Sequence, residues 1–287
     1  MAPRKNAASA AVAPAKTAET LPAVQTSTGT AVAVADDMSA FEGIPTGFEN
    51  VTAADLLIPR LGILQGLSPQ VTQGKPEYDK DARAGMIWDM GIAEGFPDGV
   101  TIVPLHYSKV WLEWAPRESG KGLIEVHYNE SILDQTEEDG NGRAVLPNGN
   151  YIAETAQLYG LHVERGFQKV FIPMTSTQLK KARLLLTLAT SEKIARPDGS
   201  EFTPPLFYRS YSFTTVPESN NKGSWMGWKI ERGDTLVELA PKTFKSIIAD
   251  ILEFKKSIEK GEARGDLSTL AGETGGTAPA GGEDERM

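Results

Sequence analysis

The stretch Val100–Trp114, VTIVPLHYSKVWLEW, limits what this chain can fold into more than any other part of it. It alternates like a strand, and side chains on a strand switch sides at every residue. Regular alternation puts Val103, Leu105, Tyr107, Lys109 and Trp111 on one face. Ile102, Pro104, His106, Val110, Leu112 and Trp114 fall on the other. Both faces are then largely apolar or aromatic. Such a strand lies deep in a sheet, or has one face in the core and the other against a flat ligand. Tyr107, Lys109 and Trp111 offer two π-faces with a cation between them, which suits a stacked nucleobase with a phosphate beside it. The plainer alternative makes both rings core aromatics and lets Lys109 reach to the surface along its aliphatic stem.

The chain has 287 residues, enough for one large domain or two small ones. It contains no cysteine, which excludes disulfides, thiolate metal sites and a thiol nucleophile, and fits a reducing cytosol. The net charge of −9 disfavours non-specific duplex binding through a broad basic surface, but a local basic groove is compatible with it. No apolar run is long enough to span a membrane, and the first residues lack the compact Leu-rich segment of a secretory signal. A cytoplasmic protein is expected.

Three segments follow from composition. Residues 1–47 are rich in Ala, Thr, Val and Pro, bury too little to offset the entropy of ordering, and read as a disordered arm. Residues 48–262 carry the periodic segments. Residues 263–287 read as a flexible Gly-rich tail with an acidic tip at Glu283–Glu285.

Within the middle segment, Thr52 can cap a short helix that Pro59 interrupts. The run 58–71 enters a sheet with Arg60 exposed. Short strands are predicted at 85–90, 123–128, 151–163 and 169–174. The acidic stretch 134–150 reads as a solvated hairpin or loop, with no calcium-loop spacing. A helix capped by Ser176 or Thr177 runs over 178–190, turning Leu179, Ala182, Leu186 and Ala189 inward. Lys180, Lys181 and Arg183 crowd its start, where cations oppose the helix dipole, which hints at an external anion. A hairpin joins 206–215 to 224–230 through Asn220, Asn221 and Gly223. It places Phe207, Arg209, Tyr211 and Phe213 on one face and adds Trp225, Trp228 and Lys229. Pro241 opens a last helix with an apolar stripe at Phe244, Ile247, Ile248, Ile251, Leu252 and Ile258.

No enzyme signature accompanies these elements. His106, His127 and His162 lack ligand spacing. There is no phosphate-binding loop, nucleophile elbow or dinucleotide fingerprint, and most carboxylates fall in loops and tails where water solvates them. The fold class expected is mainly β with two or three helices: an antiparallel barrel like the oligonucleotide-binding fold, with a C-terminal amphipathic helix. Such barrels bind single strands by stacking bases on aromatics and tracking phosphates with Lys and Arg.

Two runs carry a family resemblance. Ile58-Pro-Arg-Leu-x-x-Leu-Gln-x-x-Ser-Pro-x-Val71 and Phe171-Ile-Pro-Met-x-Ser-Thr-x-x-Lys-x-Ala-Arg-x-Leu185, with a hairpin like Tyr208–Lys229 after them, resemble phage-encoded proteins of the replication region. Some of those are regarded as single-stranded DNA-binding proteins, and many have no assigned role. The resemblance covers roughly residues 50–260. Some relatives carry cysteines in the middle region, so any metal those hold is not expected here. The tail is less acidic than is usual in such proteins and ends in Arg286-Met287 rather than an aromatic residue.

The expectation is therefore a non-enzymatic single-stranded DNA-binding protein of a phage-like replication or recombination system, without a cofactor or metal. Tyr107, Trp111, Tyr211 and Trp228 would stack bases. Lys109, Arg117, Lys121, Lys180, Lys181, Arg209 and Lys229 would contact phosphates. Replication proteins recruited by the tail and a homo-oligomer are further partners on this reading. Two rivals stand beside it: a virion or interaction component whose aromatics fill an interface, and an enzyme whose site assembles from distant carboxylates with His106 or His162.

Overall fold

The computed structural model describes residues 57–267 except 141 and 222, together with 270 and five positions between 44 and 50; Arg117 is described by its backbone alone. Most of the expected arm over 1–47, the Thr52 cap and the acidic tip lie outside the described residues. The chain divides into two compact units, Met1–Asn50 and Val51–Met287. In the first, the Gly47 N–H donates to Glu49 Oε1 at 3.0 Å.

The second unit is built on antiparallel sheet, as expected, and among the described residues strand outweighs helix 39% to 23%. Three short strands, β1 (Leu61–Ile63), β2 (Ile87–Asp89) and β3 (Glu94–Phe96), form a small sheet in that order. The main sheet is curled into a half barrel. It comprises β4 (Val100–Trp114), β5 (Leu123–His127), β6 (Glu137–Glu138), β7 (Ala144–Val145), β8 (Tyr151–His162), β9 (Gln168–Thr175), β12 (Arg209–Asn220) and β13 (Gly223–Thr235). Its order is β13-β12-β4-β8-β7-β6, with β5 on β4 and β9 on β8. A separate hairpin joins β10 (Ile194–Ala195) to β11 (Glu201–Phe202). Among the described residues the α-helices are α1 (Leu179–Thr190), α2 (Leu236–Leu239) and α3 (Phe244–Glu259).

β4 is the axis of this arrangement. β8 pairs with it from Ile102 to Trp114, while its other edge holds β12 at one end and β5 at the other. The register of β4 and β8 shifts between Pro104 and His106. A bulge of this kind inserts one residue and exchanges the faces of everything beyond it. Val103 and Leu105 therefore share a core cluster with Val110, Leu112 and Trp114, while Ile102 and Tyr107 belong to the opposite cluster. This corrects the two faces that uninterrupted alternation predicts.

A helix covers each face. Ala182 and Leu185 of α1 pack with Ile102, Leu158, Ile172, Tyr211, Phe213 and Trp228. Leu185, rather than the expected Leu186, takes the inward position. Neither Ser176 nor Thr177 caps α1: Gln178 stands at the N-cap without a side-chain cap bond, and its Oε1 accepts from the Trp228 N–H at 3.0 Å. On the other face, Ile247, Ile251 and Phe254 of α3 pack with Leu112, Tyr159 and Phe171, and the expected Leu252 points outward. Phe207 also parts from Tyr211 and Phe213, because Leu206–Tyr208 is a 3-10 turn and the strand register shifts after Arg209.

Arg60 is buried rather than exposed. The backbone at this point joins the small sheet to β9: the Phe171 N–H donates to the Pro59 carbonyl and the Met90 N–H to the Arg60 carbonyl, both at 2.9 Å. With the main chain held between two sheets, the side chain is carried inside. At the other end, Ala263 and Leu267 are buried in the α3 cluster, so packed chain continues beyond residue 262, the expected start of the tail.

Candidate functional site

The structure seals three of the four rings expected to stack bases. Tyr211 and Trp228 are 1% and 2% exposed beneath α1, and Trp111 is 6% exposed against Leu146 and Ile152. Tyr107 is half-buried and packs on the α1 cluster. The alternation of aromatics thus records core positions: Tyr211 and Trp228 face α1 and Trp111 faces Leu146 and Ile152, so these three rings do not line an open trough.

Most of the expected phosphate contacts already hold carboxylates. Lys109 Nζ lies 2.5 Å from Glu154, Lys181 2.5 Å from Glu218, and Lys229 2.8 Å from Glu231. Arg209 forks onto Glu192 at 2.6 and 2.9 Å, and that bond holds the Glu192 carboxyl below its usual range. Lys121 and Lys180 are exposed, and the Arg117 side chain lies outside the described residues.

A cluster the sequence reading did not single out lies where β5 meets β4. Register sets Glu113 directly opposite Glu125 and places His127 two residues further along the same face. Glu113 is buried, Glu125 exposed and His127 in between. His127 Nε2 lies 2.8 Å from Glu113 Oε2, while the amides of Asn150 and Asn148 donate to Oε1 at 2.5 and 3.3 Å. Burial alone would raise the Glu113 carboxyl; the bonds from Asn150, His127 and Asn148 outweigh it and set the pKa below the usual range. A cleft of about 320 Å³, lined by Glu125, His127, Ser131, Ile132 and Gln135, gives this edge access to solvent. The sequence signal was Glu113 itself, a charged residue inside the apolar end of a central strand.

Two other polar groups are partly or wholly enclosed. His162 is buried against the Phe96 ring at 5.0 Å, and neither ring nitrogen has a hydrogen-bond partner. His106 is half-buried beside Tyr159, with their rings 6.0 Å apart. Burial lowers the pKa of both.

Two large apolar side chains stand exposed beside the Glu113 cluster. Among the described residues β5 is hydrogen-bonded within the sheet only to β4, and Ile124 and the adjoining Tyr128 are 46% and 60% exposed. The Arg264 guanidinium lies over the Tyr128 ring at 5.1 Å.

An antiparallel half barrel with a helix on each face, a polar cluster at one edge and apolar side chains beside it defines the class. The chain matches the family model described as Pam3 phage gp34-like protein over residues 26–263, and it belongs to that phage protein family. No curated protein and no solved structure matches it. Among the described residues, no helix is long and apolar enough to cross a membrane.

Proposed function

We propose that this phage protein is a non-catalytic component that works by docking to protein, and that the occupant of its β5 edge is a second copy of the chain. The observation that carries this reading is the pairing of a strand hydrogen-bonded to one neighbour with two large exposed apolar side chains, Ile124 and Tyr128. A strand edge offers N–H and C=O groups to a further strand, and apolar side chains at its rim favour that contact over water. Light scattering coupled to size exclusion tests it over a range of concentrations. The expected mass rises above the 31.0 kDa of one chain, and Ile124→Glu with Tyr128→Ser returns it to that value. A single-chain mass at every concentration overturns the reading.

A second reading, single-stranded DNA binding, is favoured by one surviving piece of the expected surface. Tyr107 is half-exposed, and its hydroxyl feels the charges of Lys109 and the exposed Arg183, with the Glu154 carboxylate opposing them. Lys180 is exposed on the same helix. A base on Tyr107 with phosphates on Lys180 and Arg183 would need no sealed ring to move. Recruitment of replication proteins by the tail belongs to this reading. Titration with an oligo-dT strand at several salt concentrations tests it: salt-sensitive binding that Lys180→Glu with Arg183→Glu abolishes supports it, and absence of binding at low salt removes it.

A further inference from the structure

Glu113, Glu125 and His127 reach toward one point from two neighbouring strands. One ligand atom from each lies within 4.8 Å of the others. The two carboxylates are directly opposite in the ladder, where like charges destabilise the pairing unless a cation stands between them. The Glu125 carboxylate has no hydrogen bond or ion pair among the described residues. Glu113 is fixed from behind, with Asn148 and Asn150 holding Oε1, so that Oε2 is left toward His127. The cleft along β5 supplies a path for a hydrated ion.

We propose that this cluster binds one divalent transition-metal ion, with zinc the best fit, through His127 Nε2, Glu113 Oε2 and the Glu125 carboxylate, with water completing the coordination. One imidazole nitrogen and two carboxylate oxygens form a borderline donor set that suits zinc and cobalt, whereas calcium and magnesium prefer all-oxygen shells. On binding, the ion takes the place of the hydrogen between His127 Nε2 and Glu113 Oε2, and the neutral imidazole carries its N–H on Nδ1. Asn148 and Asn150 are positioning residues: they set the angle of the Glu113 carboxylate, as outer partners of metal ligands do. The ion would tie β5 to β4 and to the 146–150 turn that carries both amides. This inference does not depend on the docking reading.

The test uses the full chain, treated with chelator and exchanged into metal-free buffer, then titrated with zinc by calorimetry and with cobalt by visible absorbance. The expected result is one ion per chain and a cobalt spectrum of low coordination number. Glu125→Gln, at an exposed position where the fold tolerates change, weakens binding at least tenfold, and His127→Ala abolishes the cobalt bands. Asn150→Ala weakens binding by a smaller factor. Glu137→Gln, a carboxylate outside the cluster, leaves it unchanged. Circular dichroism checks that each variant keeps its strand content. Absence of stoichiometric binding, or equal binding by Glu125→Gln and the unaltered chain, overturns the proposal and leaves a plain histidine–carboxylate pair.

Discussion

The side chain of Gln65 hydrogen-bonds both backbone groups of Met226: its Oε1 accepts from the Met226 N–H at 2.9 Å and its Nε2 donates to the Met226 carbonyl at 3.0 Å. One amide side chain thus stands in for a neighbouring strand on the outer edge of β13. Gln178 does the same for the Trp228 N–H two residues on. Capped in this way, β13 does not offer those groups to another chain, whereas no equivalent side chain bonds β5 among the described residues.

Removing the cap has a defined effect. Gln65→Ala leaves two part-buried backbone groups without their partner, a loss of about 1–3 kcal/mol. Urea unfolding followed by circular dichroism reads it as a lower midpoint at unchanged slope. Loss of the cap also exposes strand edge, so aggregation on heating is expected to begin earlier.

Gly160 faces Pro104 at the bulge, and a Cβ there would meet the Ile102 side chain while lying 3.1 Å from the Val103 carbonyl. Gly160→Ala forces β8 away from β4 at the centre of the sheet. The expected loss is about 1–3 kcal/mol, measured by thermal or chemical unfolding. Gly166→Ala, where an added Cβ meets nothing, loses only the penalty for a non-glycine residue at φ 63°.

Much of the fold was legible in the chain, and the reasons for the misses are physical. The span of β4 and the β12–β13 hairpin follow from alternation and turn residues, which are local properties. The face assignment of β4 failed because the shift between Pro104 and His106 is set by pairing with β8, which no single strand reveals. Arg60 was misplaced because its burial arises from two sheets meeting at its backbone. The aromatic alternation in Tyr211–Phe213 and at Trp228 is the same whether a helix or a ligand covers it; only the position of α1 decides. At the polar cluster, Glu113, Glu125 and His127 are separated by a turn, and their approach depends on the β4–β5 register.

His162 makes stability depend on pH. Its folded pKa is lowered below the ordinary 6.5, chiefly by burial, with Glu164, Asp89 and Glu94 acting against that and Arg165 with it. The unfolded chain therefore binds the proton more readily. Stability is flat above the unfolded value and falls as pH drops from about 6.5 toward the folded pKa. His106, also lowered, contributes in the same direction. Melting temperatures measured from pH 7.5 down to pH 5 are expected to fall, and His162→Phe to make the fall shallower; an unchanged slope in the variant would contradict the burial argument.

Four of the five tryptophans are enclosed: Trp88, Trp111, Trp114 and Trp228 are all at most 6% exposed. Trp225 is partly exposed, with its indole N–H donating to Glu218 at 2.9 Å. Acrylamide should quench a minor fraction of the fluorescence, and Trp225→Phe should remove most of that fraction. Strong quenching that survives this substitution would show the other rings to be reachable from solvent.

The most direct test of docking at β5 is amide hydrogen exchange of residues 123–128, measured on the same protein at low and at high concentration. Protection of these amides that rises with concentration, while the capped Met226 and Trp228 amides stay constant, is the predicted result. Exchange at 123–128 that is independent of concentration, under conditions where light scattering reports assembly, would place the contact elsewhere and contradict the account.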